Sequence, residues 1–147
     1  MASGTGFNGE YRHQIDDKGR LAVPSKMRAQ LSGTIHVAQW LDTCLAILPN
    51  SEWDVIAGKV AALPMTDQRT RALERRLYGK AVELEMDAQG RILLPLNLRE
   101  FAGLEGEVVV VGTRNRVEIW SKERWAEQSA VLDDDAAFAN LISDIGI

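Results

Sequence analysis

"DDKGRLAVPSKMR" at 16–28 and "DAQGRILLPLNLR" at 87–99 spell one thirteen-residue pattern twice, 71 positions apart. Asp16, Gly19, Arg20, Leu21, Val23, Pro24 and Arg28 are matched by Asp87, Gly90, Arg91, Ile92, Leu94, Pro95 and Arg99. The likeness continues into "CLAILPNSEW" (44–53) and "RVEIWSKERW" (116–125) once one extra residue is allowed in "GTRNR", so that Trp53 falls on Trp125 and Ser51 on Glu123. A repeat of this kind marks a supersecondary unit that cannot bury its apolar face alone. Two copies can bury each other's.

Within each copy the local chemistry reads as a hairpin. Tyr11, His13 and Ile15 alternate with Arg12, Gln14 and Asp16. Asp binds the amides of a following turn, and Gly supplies the positive φ where the chain reverses. The next strand starts at Arg20 or Arg91, and Pro24 or Pro95 ends it for want of an N–H. Leu21 and Val23, like Ile92 and Leu94, point one way. The arginine therefore stands at the hairpin mouth on the opposite face, where it either pairs with the turn aspartate or reaches outward. Alternation and turn residues predict strands over 11–16, 20–24, 35–40 and 45–48 with a short helix over 25–31. The order recurs as strands over 82–87, 91–95, 107–112 and 117–120 and a helix over 96–102. Between the copies, "SEWD" predicts a helix capped by Ser51 and stopped by Pro64, and a second helix runs over 67–78. A further helix follows Ser121. Trp53, Trp125, Trp40 and Trp120 read as core anchors.

The chain has 147 residues, 46% apolar and 26% charged, which suits one soluble unit. No run approaches the ~18 apolar residues of a membrane span, and "MASGTGFNGEYRH" has neither a basic nor an apolar leader region, so a cytoplasmic protein is expected. One cysteine, Cys44, excludes an internal disulfide and reads as a small buried residue. His36 and Cys44 lack a third orienting group, no glycine loop cradles phosphate, and no ligand spacing suits a metal. Catalytic, cofactor, metal and small-molecule substrate sites are not expected.

Net charge is −4, unfavourable for a phosphate-binding protein, but it is unevenly placed. Residues 133–147 hold four of the 21 acidic side chains and no basic one, leaving 17 of each sign before them. Phe138, Leu141, Ile142 and Ile145 fall at helical spacing in this tail. The composition favours an unstructured tail over a docking helix. "RTRALERRLYGK" carries Arg69, Arg71, Arg75, Arg76 and Lys80 and reads as a solvated or subunit-facing surface more readily than a DNA-backbone contact.

The doubled Asp-x-x-Gly-Arg-x-x-x-Pro pattern is similar to that of the SpoVT/AbrB-type swapped-hairpin DNA-binding fold. Two copies in tandem, with "GEYRHQIDDKGRLAVP", "DAQGRILLPLNLREFAGL" and "VEIWSKERW", resemble the MraZ family of bacterial transcriptional regulators over roughly 7–126. The resemblance implies an α+β fold: SpoVT/AbrB-like repeats at 7–54 and 81–126, connecting helices over 55–80, and a C-terminal helix end and acidic tail over 127–147. It further implies an intramolecular pseudo-dimer of swapped hairpins, self-assembly into a ring, and binding of double-stranded promoter DNA at repeated boxes upstream of the division and cell-wall operon that contains its own gene, in the cytoplasm at the nucleoid. The family's motif arginines carry over to Arg20 and Arg91.

A two-stranded ribbon fits the major groove, and arginine makes the bidentate contact to guanine O6 and N7. Arg20, Lys18, Arg12 and Arg91 are the expected DNA contacts. Asp16, Gly19, Pro24 and Arg28, with Asp87, Gly90, Pro95 and Arg99, are expected to hold the motif's shape. The window 12–20 carries a net +1 and its counterpart 83–91 a net −2, so the first hairpin suits phosphate better and the second is freer for packing. The rival reading is a non-DNA scaffold or antitoxin-like module that engages a protein partner through its tail.

Overall fold

The computed structural model describes residues 6–147. β1 (Glu10–Ile15) and β2 (Arg20–Ala22) form the first hairpin. The Asp16 amide donates to the Arg20 carbonyl at 3.1 Å and the Gly19 amide to the Asp16 carbonyl at 3.1 Å. Gly19 sits at φ 93°, where a side chain would be strained. The second hairpin, β5 (Val82–Leu84) and β6 (Arg91–Leu93), repeats both turn bonds at 2.9 and 3.0 Å.

β3 (Ile35–Gln39), β4 (Leu45–Pro49), β7 (Gly106–Gly112) and β8 (Val117–Ser121) complete one eight-stranded antiparallel sheet in the order β5-β3-β4-β8-β7-β1-β2-β6. β1 lies beside β7 of the second copy, with Arg12 opposite Val109, and β5 lies beside β3 of the first, with Val37 opposite Val82. Like meets like at β4–β8, where Ala46 faces Glu118, and at β2–β6, where Leu21 faces Ile92. The end strands β5 and β6 are joined through the 87–91 turn, so the sheet curls back on itself.

The interior of that curl is the core. Leu21, Ile92, Val23, Leu94, Leu31 and Leu98 pack there with Val37, Ile47, Val108 and Ile119, all nearly inaccessible to water. Both copies contribute equally, so neither half buries its apolar face without the other. Burial of each such side chain contributes about 1.5–3 kcal/mol. A second cluster outside the curl joins Cys44, Val109, Val111 and Trp120, with Trp40 and Trp125 half-buried against it. Trp53 is also half-buried, stacked on His36 at 4.5 Å and edge-on to Tyr78. Of the four tryptophans only Trp120 is fully in a core.

The helices are α1 (Asn50–Ala61), α2 (Gln68–Leu77), α3 (Leu96–Ala102), α4 (Lys122–Ser129) and α5 (Asp135–Asp144). Three expectations are corrected. The helix over 25–31 is two short 3-10 turns rather than one helix. Ser51 does not cap α1, which begins a residue earlier behind Pro49; the adjacent Asn50 Oδ1 instead bonds His36 Nε2 at 3.0 Å. Ser121, at the position equivalent to Pro49, is the residue that caps, its Oγ accepting the Arg124 amide at 3.0 Å. The tail is helical as α5, its first turn capped by Asp134. No helix among the described residues is long and apolar enough to cross a membrane.

Candidate nucleic-acid interface

β2 and β6 run antiparallel with Arg20 opposite Leu93, Leu21 opposite Ile92 and Ala22 opposite Arg91. Leu21 and Ile92 face the core, so alternation turns Arg20, Ala22, Arg91 and Leu93 outward. The two arginines are diagonal neighbours across this ribbon, a relation that places Cα atoms roughly 7–8 Å apart. Leu93, 59% exposed, lies opposite one of them, with Ala22 at its equivalent place in the other repeat. The arginines were legible in the sequence; Leu93 was not singled out, although alternation from Arg91 would have found it.

Each arginine is held from behind by its turn aspartate. Arg20 Nε donates to Asp16 Oδ2 at 2.8 Å, while the Arg20 and Lys18 amides donate to Asp16 Oδ1 at 2.8 and 3.0 Å. Arg91 Nε donates to Asp87 Oδ2 at 2.9 Å, and the Arg91 and Gln89 amides both donate to Oδ1 at 2.9 Å. One carboxylate thus orders the turn and aims the guanidinium. Donation by the Arg20 amide, against partial desolvation and with help from the Arg20 side chain and Lys18 amide, lowers the Asp16 carboxyl to about 2. Asp87 is lowered too, chiefly by the Arg91 amide.

Pairing and outward reach are therefore not alternatives. The aspartate takes the Nε edge, and among the described residues no hydrogen bond engages Nη1 or Nη2 of either arginine. Their side chains are 43% and 40% exposed, so Arg91 stands as free as Arg20 and is not withdrawn into packing. Two copies of one acceptor-seeking fork face the same way.

The remaining motif residues brace this ribbon crosswise. The Val23 amide donates to the Gly90 carbonyl at 2.9 Å and the Leu94 amide to the Gly19 carbonyl at 2.8 Å. Arg28 Nε donates to the Val23 carbonyl at 2.9 Å and Arg99 Nε to the Leu94 carbonyl at 3.0 Å. Arg28 then lies over Gly90, and Arg99 over Gly19, each filling the space a side chain there would need. Pro24 and Pro95 stand where the strands give way to the first 3-10 turn and to α3.

Lys18 is exposed at the turn tip. Arg12 is elsewhere, on β1 between Glu107 at 3.4 Å and Glu10 at 3.8 Å, with Lys122 also near Glu107. The structure does not bring Arg12 to the ribbon. On α2, Arg69 pairs with the capping Asp67, Arg71 donates to the Met65 and Thr66 carbonyls, and Arg76 donates to Gln39 and lies over the Phe101 ring. His36 is tied to Asn50 and Trp53, and the buried Cys44 thiol, its pKa pushed up by burial, donates to the Leu41 carbonyl.

The family model described as "MraZ protein, putative antitoxin-like" matches this chain twice, at 7–76 and 77–143. The chain belongs to the MraZ family. Three relatives, each named transcriptional regulator MraZ, illustrate the likeness. One from Clostridium beijerinckii is 41% identical over 141 residues, 96% of this chain and 99% of its own. One from Desulforamulus reducens is 47% identical over 139 residues, covering 95% and 96%. One from Carboxydothermus hydrogenoformans is 50% identical over 119 residues, covering 81% and 83%. The first match spans β1–β4 and the second β5–β8, strands that interleave in the one sheet, and a role in transcription regulation accords with the names of the relatives.

Proposed function

We propose that this MraZ-family protein is a sequence-specific DNA-binding regulator that reads promoter boxes with the β2–β6 ribbon. The observation that carries this is the pair of aspartate-backed arginines on one exposed face. In this reading the two repeats act as a pseudo-dimer of swapped hairpins. Arg20 and Arg91 take guanine O6 and N7 in the major groove, and their diagonal spacing spans about two base steps of ~3.4 Å. Lys18 meets phosphate beside them. Arg12, held by Glu10 and Glu107 away from the ribbon, tunes the local field and does not itself contact a base.

One ribbon per chain is a small interface, and the protein is acidic overall. Affinity then comes from several chains assembled as a ring on several boxes, since linked weak contacts multiply without a large basic surface. The targets are repeated boxes upstream of a division and cell-wall gene cluster that includes the protein's own gene, placing it at the nucleoid. A mobility shift with that upstream DNA tests the reading. Retention of the shift by Arg20→Ala combined with Arg91→Ala would refute it. No shift at all by the native oligomer would favour the rival, an antitoxin-like module acting through its apolar, acidic tail.

A further inference from the structure

Arg124 stands in the first turn of α4, where its amide is held by Ser121 Oγ. A cation there faces the positive end of its own helix, an unfavourable place. Its side chain leaves that end and crosses to the C-terminal end of α3. Nη1 donates to the Phe101 carbonyl at 2.8 Å and to the Thr43 carbonyl at 3.2 Å. The guanidinium carbon lies 3.3 Å from where a Gly103 side chain would begin. Among the described residues the side chain forms no ion pair, so its partners are backbone carbonyls of two other elements.

α3 has seven residues, too few to hold by itself, and its last carbonyls lack partners within the helix. The Gly103 amide takes that of Glu100 at 3.2 Å, the Leu104 amide takes that of Arg99 at 2.9 Å, and Arg124 takes that of Phe101. The bond to Thr43 ties this closure to the β3–β4 turn, where Asp42 and Thr43 reverse the chain at φ 63° and 60°. From the middle of α3, Arg99 reaches over Gly19 to the Leu94 carbonyl, while the Leu94 amide donates to the Gly19 carbonyl. Gly19 lies between Lys18 and Arg20. One line of contacts thus runs from Arg124 to the turn that carries Arg20.

The other turn has no such support. In the repeat Arg124 falls on Glu52, and α3 falls on the two 3-10 turns around Arg28. Glu52 Oε2 accepts from Asn115 Nδ2 at 3.3 Å in the β7–β8 connection, the counterpart place, but a carboxylate cannot donate to a carbonyl end. We infer that Arg124 is a positioning residue for DNA reading. By closing α3 it fixes Arg99 over Gly19 and holds the Arg20 turn in shape, leaving the Arg91 turn the more adaptable of the two. This inference rests on the DNA role proposed above and adds a residue outside the ribbon that makes the two turns unequal.

Hydrogen exchange on the native full-length protein needs no variant. Leu94 and Val23 are equally buried, and their amides donate to the Gly19 and Gly90 carbonyls respectively. The Leu94 amide should exchange several-fold more slowly than that of Val23. Arg124→Met keeps the apolar stem beside Gly103 and removes both donated bonds. It should erase that difference and weaken binding to the DNA upstream of the protein's own gene by roughly tenfold, with Arg124→Lys, still a donor, close to native. The loss should vanish when Arg20→Ala is already present and persist in full beside Arg91→Ala. Equal protection of the two amides in the native protein would overturn the inference. So would one and the same loss in all three backgrounds, because general loosening acts on both turns alike. Both results leave the proposed function standing, whereas a native protein that shifts no DNA defeats that function and this inference with it.

Discussion

Arg99 of the second repeat lies across Gly19 of the first, its Nε 2.7 Å from where a Gly19 side chain would begin. Arg28 and Gly90 stand in the mirrored relation, so each arginine-bearing turn is shaped by the other repeat. Gly19→Ala and Gly90→Ala should each lower stability by about 1–3 kcal/mol, since positive φ and the seated guanidinium both oppose a side chain. Gly33, also at positive φ but with open space around it, is the control: Gly33→Ala should cost less. Urea unfolding of the three variants measures the difference.

Removing the brace from the other side isolates its hydrogen bond. Arg28→Ala leaves the Val23 carbonyl without its side-chain donor and opens space above Gly90. A loss of about 1–3 kcal/mol in unfolding free energy is expected. Arg20→Ala, which removes only a half-exposed ion pair, should scarcely change stability.

On DNA the order reverses. Arg20→Ala and Arg91→Ala should each weaken operator binding by about 1–3 kcal/mol per engaged box, the worth of one bidentate base contact. Arg20→Ala should be the more severe, because Glu83 and Glu85 flank the second hairpin, while the first carries Lys18 at its turn tip where the second has Gln89. Titration by mobility shift at fixed salt, with size-exclusion chromatography showing an intact oligomer, checks both points.

Leu93 should contribute discrimination rather than affinity. Its exposed side chain on the ribbon face is suited to a thymine methyl in the groove. Leu93→Ser should lower preference at one base pair of each half-box while leaving the salt dependence unchanged. Selection of bound sequences from a randomised box measures that preference.

The turn also carries a pH signature. Asp16 has a folded-state pKa of about 2, below its ordinary value of 3.8. Its contribution to the ordered turn is therefore complete above about pH 4 and disappears as pH falls through 2. The Lys18 and Arg20 amide resonances should shift together over that interval, and the Gln89 and Arg91 amides should shift together as Asp87, also lowered, titrates below its ordinary range. Asp16→Asn should abolish the first transition and leave the second.

Local chemistry was enough to predict the repeat, the hairpin turns and the outward direction of both arginines. Asp, Gly and Pro specify a turn and a strand end through the few residues beside them, and alternation assigns a face once one apolar pair is known. The same local rules misplaced the α1 cap, because Asn50 was drawn to His36, a residue 14 positions away that no window around Ser51 contains. They also left the Asp16–Arg20 pairing and outward reach as competing choices, which three-dimensional geometry made compatible by dividing one guanidinium between its Nε and Nη edges. Only the tertiary structure decided that β1 lies beside β7 rather than β3, that Arg20 and Arg91 meet on adjoining strands, and that Arg12 is diverted to Glu107. Those are long-range pairings, selected because burying Leu21 against Ile92 needs both repeats at once.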